Sequence, residues 1–315
     1  MATPTARASA ARTAGGRPAD PRRASHWRTA AGDLPLDRPL VMGVLNATPD
    51  SFWEGSRAAG VPAALRAAEA MVEAGAAILD IGGESTRPGA EPVDMAEEIA
   101  RVVPVIEALA RAFPGVPVSV DTVKSATARA ALDAGAAIVN DVAALRLDPA
   151  IADAVREAGA GLVLMHSRGA VGAMASYELA DYPSGVVDAV VDELDEALER
   201  ALLRGVPPAA LALDPGLGFA KTTAHSVDVL RALPTLADRG HPVVIGPSRK
   251  RFVGELGGGL PAAERMPGTL AACVVAYLRG ARIFRVHDVR ETARALAVVA
   301  ALAEPASEET EGTGA

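Results

Sequence analysis

Cysteine is almost absent from this 315-residue chain, Cys273 being the only one. An internal disulfide and a cysteine-based metal cluster are therefore excluded. Cys273 lies in the apolar helical stretch TLAACVVAYL and reads as a buried structural thiol. Aromatics make up only 3% of residues, so the core must be built from Ala, Val, Leu and Ile. No run reaches the ~18 apolar residues of a membrane span. No signal-peptide apolar region follows the N-terminus. An excess of positive charge is missing as well, the formal net charge being −8. That argues against a general nucleic-acid surface, though a local basic site for a small anion stays open.

What the chain has in quantity is short apolar runs that end in a polar residue. There are eight: Leu40–Asn46, Ala77–Glu84, Pro117–Asp121, Ala137–Asp141, Gly161–His166, Leu211–Asp214, Pro242–Lys250 and Ile283–His287. Helix-like stretches of 3.6-residue period follow them. Apolar strands between amphipathic helices predict a parallel sheet covered on its outer face. Eight such units predict a closed (β/α)8 TIM barrel, whose site gathers at the C-terminal ends of the strands. EAGAAILDI, DAGAAIVND, EAGAGLVLM and RGARIFRV repeat one junction, in which Gly stops a helix and a buried strand begins. The alternative, a doubly wound open sheet, normally carries a Gly-rich turn after its first strand. Here NATPDSF stands in that place. Residues 1–36 read as a disordered Ala/Arg/Pro-rich tail, 37–303 as the barrel and 304–315 as an acidic disordered tail. The Arg-rich, acid-poor start also resembles a transit peptide. The same bias runs through the whole chain and explains it more simply.

The strand tips carry Asp121, Asp141, Asp214, Lys250, Arg285 and His287. A single Asp there, such as Asp141 or Asp288, reads more readily as a helix cap than as a catalytic residue. Several charges pointing into one barrel mouth read as a site, because buried charge is costly unless paired or bound. Two loops, Asn46–Ser56 and Gly82–Ala90, mix Gly or Pro with hydroxyls and charges. The second offers an anion backbone N–H groups, Ser85, Thr86 and Arg87. Arg285 and His287 are two residues apart and so share a strand face, which suits a phosphate or diphosphate.

Taken together, NATPDSF, GGESTRPG, VDT, VND, LMH, DPGLGF, SRK and RVHD resemble, in order, the motif set of the dihydropteroate synthase family. The resemblance covers residues ~38–302 on all eight strands, the barrel that the periodicity predicts. It implies a cytoplasmic homodimer that joins 6-hydroxymethyl-7,8-dihydropterin diphosphate to p-aminobenzoate, with Mg2+ as cofactor and sulfonamides as inhibitors. Nucleic acid and membrane are not expected partners. Asp121, Asn140, Met165, Asp214, Phe219 and Lys250 then correspond to the pterin pocket. Asn46, Thr86, Arg87, Arg285 and His287 correspond to the diphosphate site. Phe52, Pro88, Gly89, Phe219, Lys250 and Arg251 correspond to the p-aminobenzoate site. Asn46, joined by Glu54, is the expected metal ligand set. Asn46, Arg87, Lys250, Arg285 and His287 are the expected catalytic residues. On this division Arg285→Ala spares binding of a pterin that lacks diphosphate. Trp53, Glu54 and Arg251 depart from the usual pattern of the family. A non-catalytic paralogue and a pterin-dependent methyltransferase are the alternatives. The intact second loop and the Arg285/His287 pair weigh against both.

Overall fold

The computed structural model describes residues 23–47, 57–85 and 91–303. Two short strands, β1 (His26–Thr29) and β2 (Gly32–Pro35), pair antiparallel. Eight parallel strands follow: β3 (Leu40–Asn46), β4 (Ile78–Gly82), β5 (Val118–Asp121), β6 (Ile138–Asp141), β7 (Gly161–Met165), β8 (Leu211–Asp214), β9 (Val244–Ile245) and β10 (Ile283–Val286). They pair in the order β8-β7-β6-β5-β4-β3-β10-β9, and a parallel bridge from Leu213 to Val243 joins the two ends. The predicted (β/α)8 barrel is therefore present, with each expected run holding one strand. β9 is the shortest because Gly246-Pro247 follows it, and proline cannot donate to a ladder.

The repeated helix-to-strand junction works as its glycines require. Gly75 and Gly280 take φ of 101° and 109°, a region that a side chain disfavours. Each turns the chain from a helix end into a buried strand. The helices bury one face on the outside of the barrel and form a core of Ala, Val, Leu and Ile. Cys273 lies in that core, fully buried, and burial pushes its thiol up to about 12.

A second apolar cluster fills the barrel floor. Leu40, Met42, Ile78, Ile138, Val163, Val244 and Ile283 meet there, and Trp27 of β1 covers them. Trp27 is wholly buried and its indole N–H donates to the Ala210 carbonyl at 2.9 Å. This corrects the N-terminal boundary, because residues expected in the tail up to position 36 include a hairpin that plugs the barrel. The hairpin is short and polar on its outer face, so only Trp27 and Thr29 alternate into the core.

Candidate active site

Side chains on a strand alternate in and out. Where Ile78, Ile138 and Ile283 face the floor, the residues two further on, Asp80, Asn140 and Arg285, face the same interior nearer the mouth. Period-two alternation thus converts apolar floor into charged mouth within one step along each strand. Asp121 stands beside Gly82 in the β4–β5 register, and Asp214 beside Met165 in the β7–β8 register.

Arg285 is the centre of this layer. Its Nε donates to Asp80 Oδ2 and its Nη2 to Asp121 Oδ2, both at 2.6 Å. Burial raises the Asp121 carboxyl to about 7, because loss of hydration outweighs the nearby arginine. The bare face of Gly82 leaves room beside it. A Cβ there would stand 3.9 Å from both Asn46 Oδ1 and Asp121 Oδ2. Asp214 is buried and accepts from the Gly216 N–H at 2.7 Å, and burial raises its carboxyl.

Lys250 reaches in from the segment after β9. Its Nζ donates to the Leu217 carbonyl at 2.5 Å and lies 4.2 Å from the Phe219 ring centre. Burial lowers its ammonium to about 8, with Asp214 opposing the shift. Phe219 and Met165 belong to an apolar cluster with Val142, Ala143 and Met174 at this end of the barrel. The segment carrying Lys250 is tied to the end of β10. Ser248 Oγ lies 3.0 Å from His287 Nδ1, and Arg249 Nε donates to Asp288 Oδ2 at 3.0 Å.

The structure therefore brings together Asp121, Asn140, Met165, Asp214, Phe219, Lys250, Arg285 and His287 in one mouth, with Asn46 at its edge. Phe52, Glu54, Thr86, Arg87, Pro88 and Gly89 lie outside the described residues. The base of the second loop is described. Glu84 Oε1 accepts from the Val93 N–H at 2.8 Å, and Lys124 Nζ donates to Glu84 Oε2 and the Val93 carbonyl, both at 2.9 Å. Arg251 is exposed, and its guanidinium stacks 3.3 Å from the Tyr177 ring centre. Asp141 accepts from the N–H groups of Ala143 at 2.8 Å and Leu145 at 2.6 Å, which makes it a loop brace.

The pterin and diphosphate residue sets share a contact, because Arg285 of the second is bonded to Asp121 of the first. Asp80, the other partner of Arg285, lies outside the sets read from the sequence. Its signal was an acid inside the apolar run AILDIGGE, two residues before the inward Gly82.

A family model described as pterin binding enzyme matches residues 42–287. The dihydropteroate synthase of Mycobacterium leprae is 47% identical over 266 residues, covering 83% of this chain and 92% of that protein. The chain belongs to the dihydropteroate synthase family. The dihydropteroate synthase of Escherichia coli K12 is 41% identical over 268 residues, covering 85% of this chain and 93% of its own. Among solved structures, Xanthomonas albilineans dihydropteroate synthase with 4-aminobenzoic acid matches at a TM-score of 0.81 and 44% identity. That match covers 89% of this chain and 98% of the other. The same enzyme in complex with 7,8-dihydropteroate matches at a TM-score of 0.77 and 43% identity, covering 87% and 98%. The dihydropteroate synthase fold thus extends over the barrel and its charged mouth.

Proposed function

We propose that this barrel joins 6-hydroxymethyl-7,8-dihydropterin diphosphate to p-aminobenzoate, giving 7,8-dihydropteroate and diphosphate. The observation that carries the reading is the convergence of Asp121, Asn140, Asp214, Lys250 and Arg285 on one mouth, in a chain whose relatives are dihydropteroate synthases. A pterin presents an amino group beside a ring N–H. Asp214 suits that pair of donors, as carboxylates suit bidentate donors generally. Asn140 both donates and accepts. Lys250 meets the ring carbonyl and balances buried negative charge. Met165 and Phe219 offer apolar surface to the ring.

The diphosphate falls to Asn46, Thr86, Arg87, Arg285 and His287. Arg285 then serves both ends, since its other contacts are Asp80 and Asp121. The Asn46 carboxamide oxygen faces the open strip above Gly82, beside the Asp121 carboxylate. An oxygen donor there fits Mg2+, which takes few protein ligands and keeps several waters. Glu54 is the second donor of the proposed set. Bound there, Mg2+ would neutralise charge on the departing diphosphate.

Reaction follows a dissociative course. The C–O bond breaks with its electron pair going to diphosphate, and the electron-rich dihydropterin delocalises the cation left behind. The arylamine lone pair then forms the C–N bond and its proton passes to solvent. That amine is neutral at pH 7, so no strong general base is required. Phe52, Pro88, Gly89, Phe219, Lys250 and Arg251 frame the p-aminobenzoate. Its carboxylate is assigned to the start of the helix Arg251–Leu256.

We assign the working unit as a homodimer in the cytoplasm. Among the described residues no helix is long and apolar enough to cross a membrane. The neighbouring helices Met266–Leu278 and Val289–Ala303 expose Val275, Leu278, Val298 and Leu302, a surface suited to a second copy. The deciding assay incubates purified protein with pterin diphosphate, p-aminobenzoate and Mg2+, and scores dihydropteroate. Product that requires both organic substrates is expected. Its absence across a range of Mg2+ rejects the reading.

A further inference from the structure

We propose that Lys221 is the positioning residue of the pterin pocket, its amine fixing the loop that carries Asp214 and Phe219. The proposal rests on the pterin reading above and goes one layer beneath it. Lys221 is wholly buried, at 0% exposure. A buried lysine is costly, and a methionine fills similar space without that cost. What the amine bonds therefore explains its presence.

Its Nζ lies 2.7 Å from His166 Nδ1 and donates to the Phe219 carbonyl at 3.1 Å. Burial pulls the lysine well below its ordinary value. Even a neutral amine keeps two N–H groups, one for each of these acceptors. His166 is held neutral, down to about 4, first by burial and then by Lys221. A neutral ring that accepts at Nδ1 carries its proton on Nε2. That nitrogen lies 3.1 Å from Glu193 Oε2.

The strap then returns to where it began. Arg168 Nε donates to Glu193 Oε1 at 3.1 Å, and its guanidinium lies 4.1 Å from the Tyr182 ring centre. The Tyr182 hydroxyl donates to the Ala220 carbonyl at 2.8 Å, next to Lys221. Lys221, His166, Glu193, Arg168, Tyr182 and Ala220 thus follow one another by close approach from the lysine amine back to the end of the loop.

The loop is pressed onto β7 as tightly as glycine permits. Gly216 takes a φ of +66°, and a Cβ there would come within 1.9 Å of the His166 carbonyl oxygen. The His166 N–H donates to the Asp214 carbonyl at 2.9 Å. Three groups of the loop touch substrate-facing side chains. The Gly216 N–H bonds Asp214, the Leu217 carbonyl bonds Lys250, and the Phe219 ring lies under Lys250. Removing the amine leaves the Phe219 carbonyl and His166 Nδ1 without their partner in a dry interior. The walls of the pterin pocket move with them.

The test compares the full-length wild type with Lys221→Met. Both substrates are varied in steady-state kinetics, and binding of a pterin without diphosphate is titrated separately. We expect the KM for pterin diphosphate and the Kd for the bare pterin to rise about tenfold, with kcat at saturation falling less than about threefold. Nitrogen NMR is expected to show His166 as the Nε2–H tautomer in the wild type and as a tautomer mixture in Lys221→Met. KM and Kd within about twofold of wild type, with only thermal stability lowered, would overturn the proposal by making Lys221 a purely structural lysine. Should Lys221→Met fail to accumulate folded, His166→Gln takes its place, because it breaks the link from the amine to Glu193. A raised KM with kcat preserved supports the proposal there, and an unchanged KM sinks it. A wild type that makes no dihydropteroate rejects the functional reading instead, so the two failures are distinguishable.

Discussion

The two ends of the barrel are built from the same strands and obey opposite rules. At the floor, Leu40, Met42, Ile78, Ile138 and Ile283 pack under Trp27 with no charge among them. One inward step along the strands stand Asp80, Asp121, Asp214 and Arg285, and Lys250 reaches in among them from the segment after β9. The floor lowers free energy by removing apolar surface from water. The mouth keeps ions out of water and tolerates them through mutual pairing. A buried ion pair adds little stability over an apolar pair, so the mouth is explained by what it binds and the floor by what it holds up.

Three measurements test that contrast, from the largest expected effect to the smallest. Arg285→Ala strands two buried carboxylates, Asp80 and Asp121, and should cost about 3–5 kcal/mol of stability. It should also abolish measurable turnover. Because Asp121 loses its partner, binding of a pterin without diphosphate should weaken as well. Calorimetry with such a pterin checks this, and unchanged affinity would show that the pterin and diphosphate residues act separately. Trp27→Ala should cost about 3–4 kcal/mol in urea unfolding through the cavity it leaves in the floor. Its KM values should match wild type, and a large KM change would show that the ends are coupled. The smallest effect is a pH limb. Lys250, lowered by burial to about 8, is protonated below that pH and loses its charge as pH rises through it. Turnover per KM for pterin diphosphate should therefore fall above about pH 8 and lose this limb in Lys250→Arg, which stays charged.

The legible part of the molecule followed from local pattern. The run LVMGVLN is β3 from its first residue to its last, and LALD is likewise β8. Asp121, Asn140, Asp214 and Lys250 were readable because each ends or follows an apolar run. Asp80 escaped because it sits inside a run, where its meaning depends on Arg285, 205 residues away. The Lys221–His166 contact spans 55 residues and leaves no periodic trace. Trp27 escaped for a different reason. One aromatic in a polar stretch carries no alternation until the barrel floor is there to receive it.

The hairpin also decides how the chain can be shortened. Residues 23–36 look dispensable beside the eight strands, yet they carry the only indole in the described core. A chain begun at Asp37 would leave the floor of β3, β4, β6 and β10 facing water and inviting association through it. One begun at Arg23 would keep its lid. Fourteen residues thus separate a trimmed protein that stays dispersed from one prone to clump.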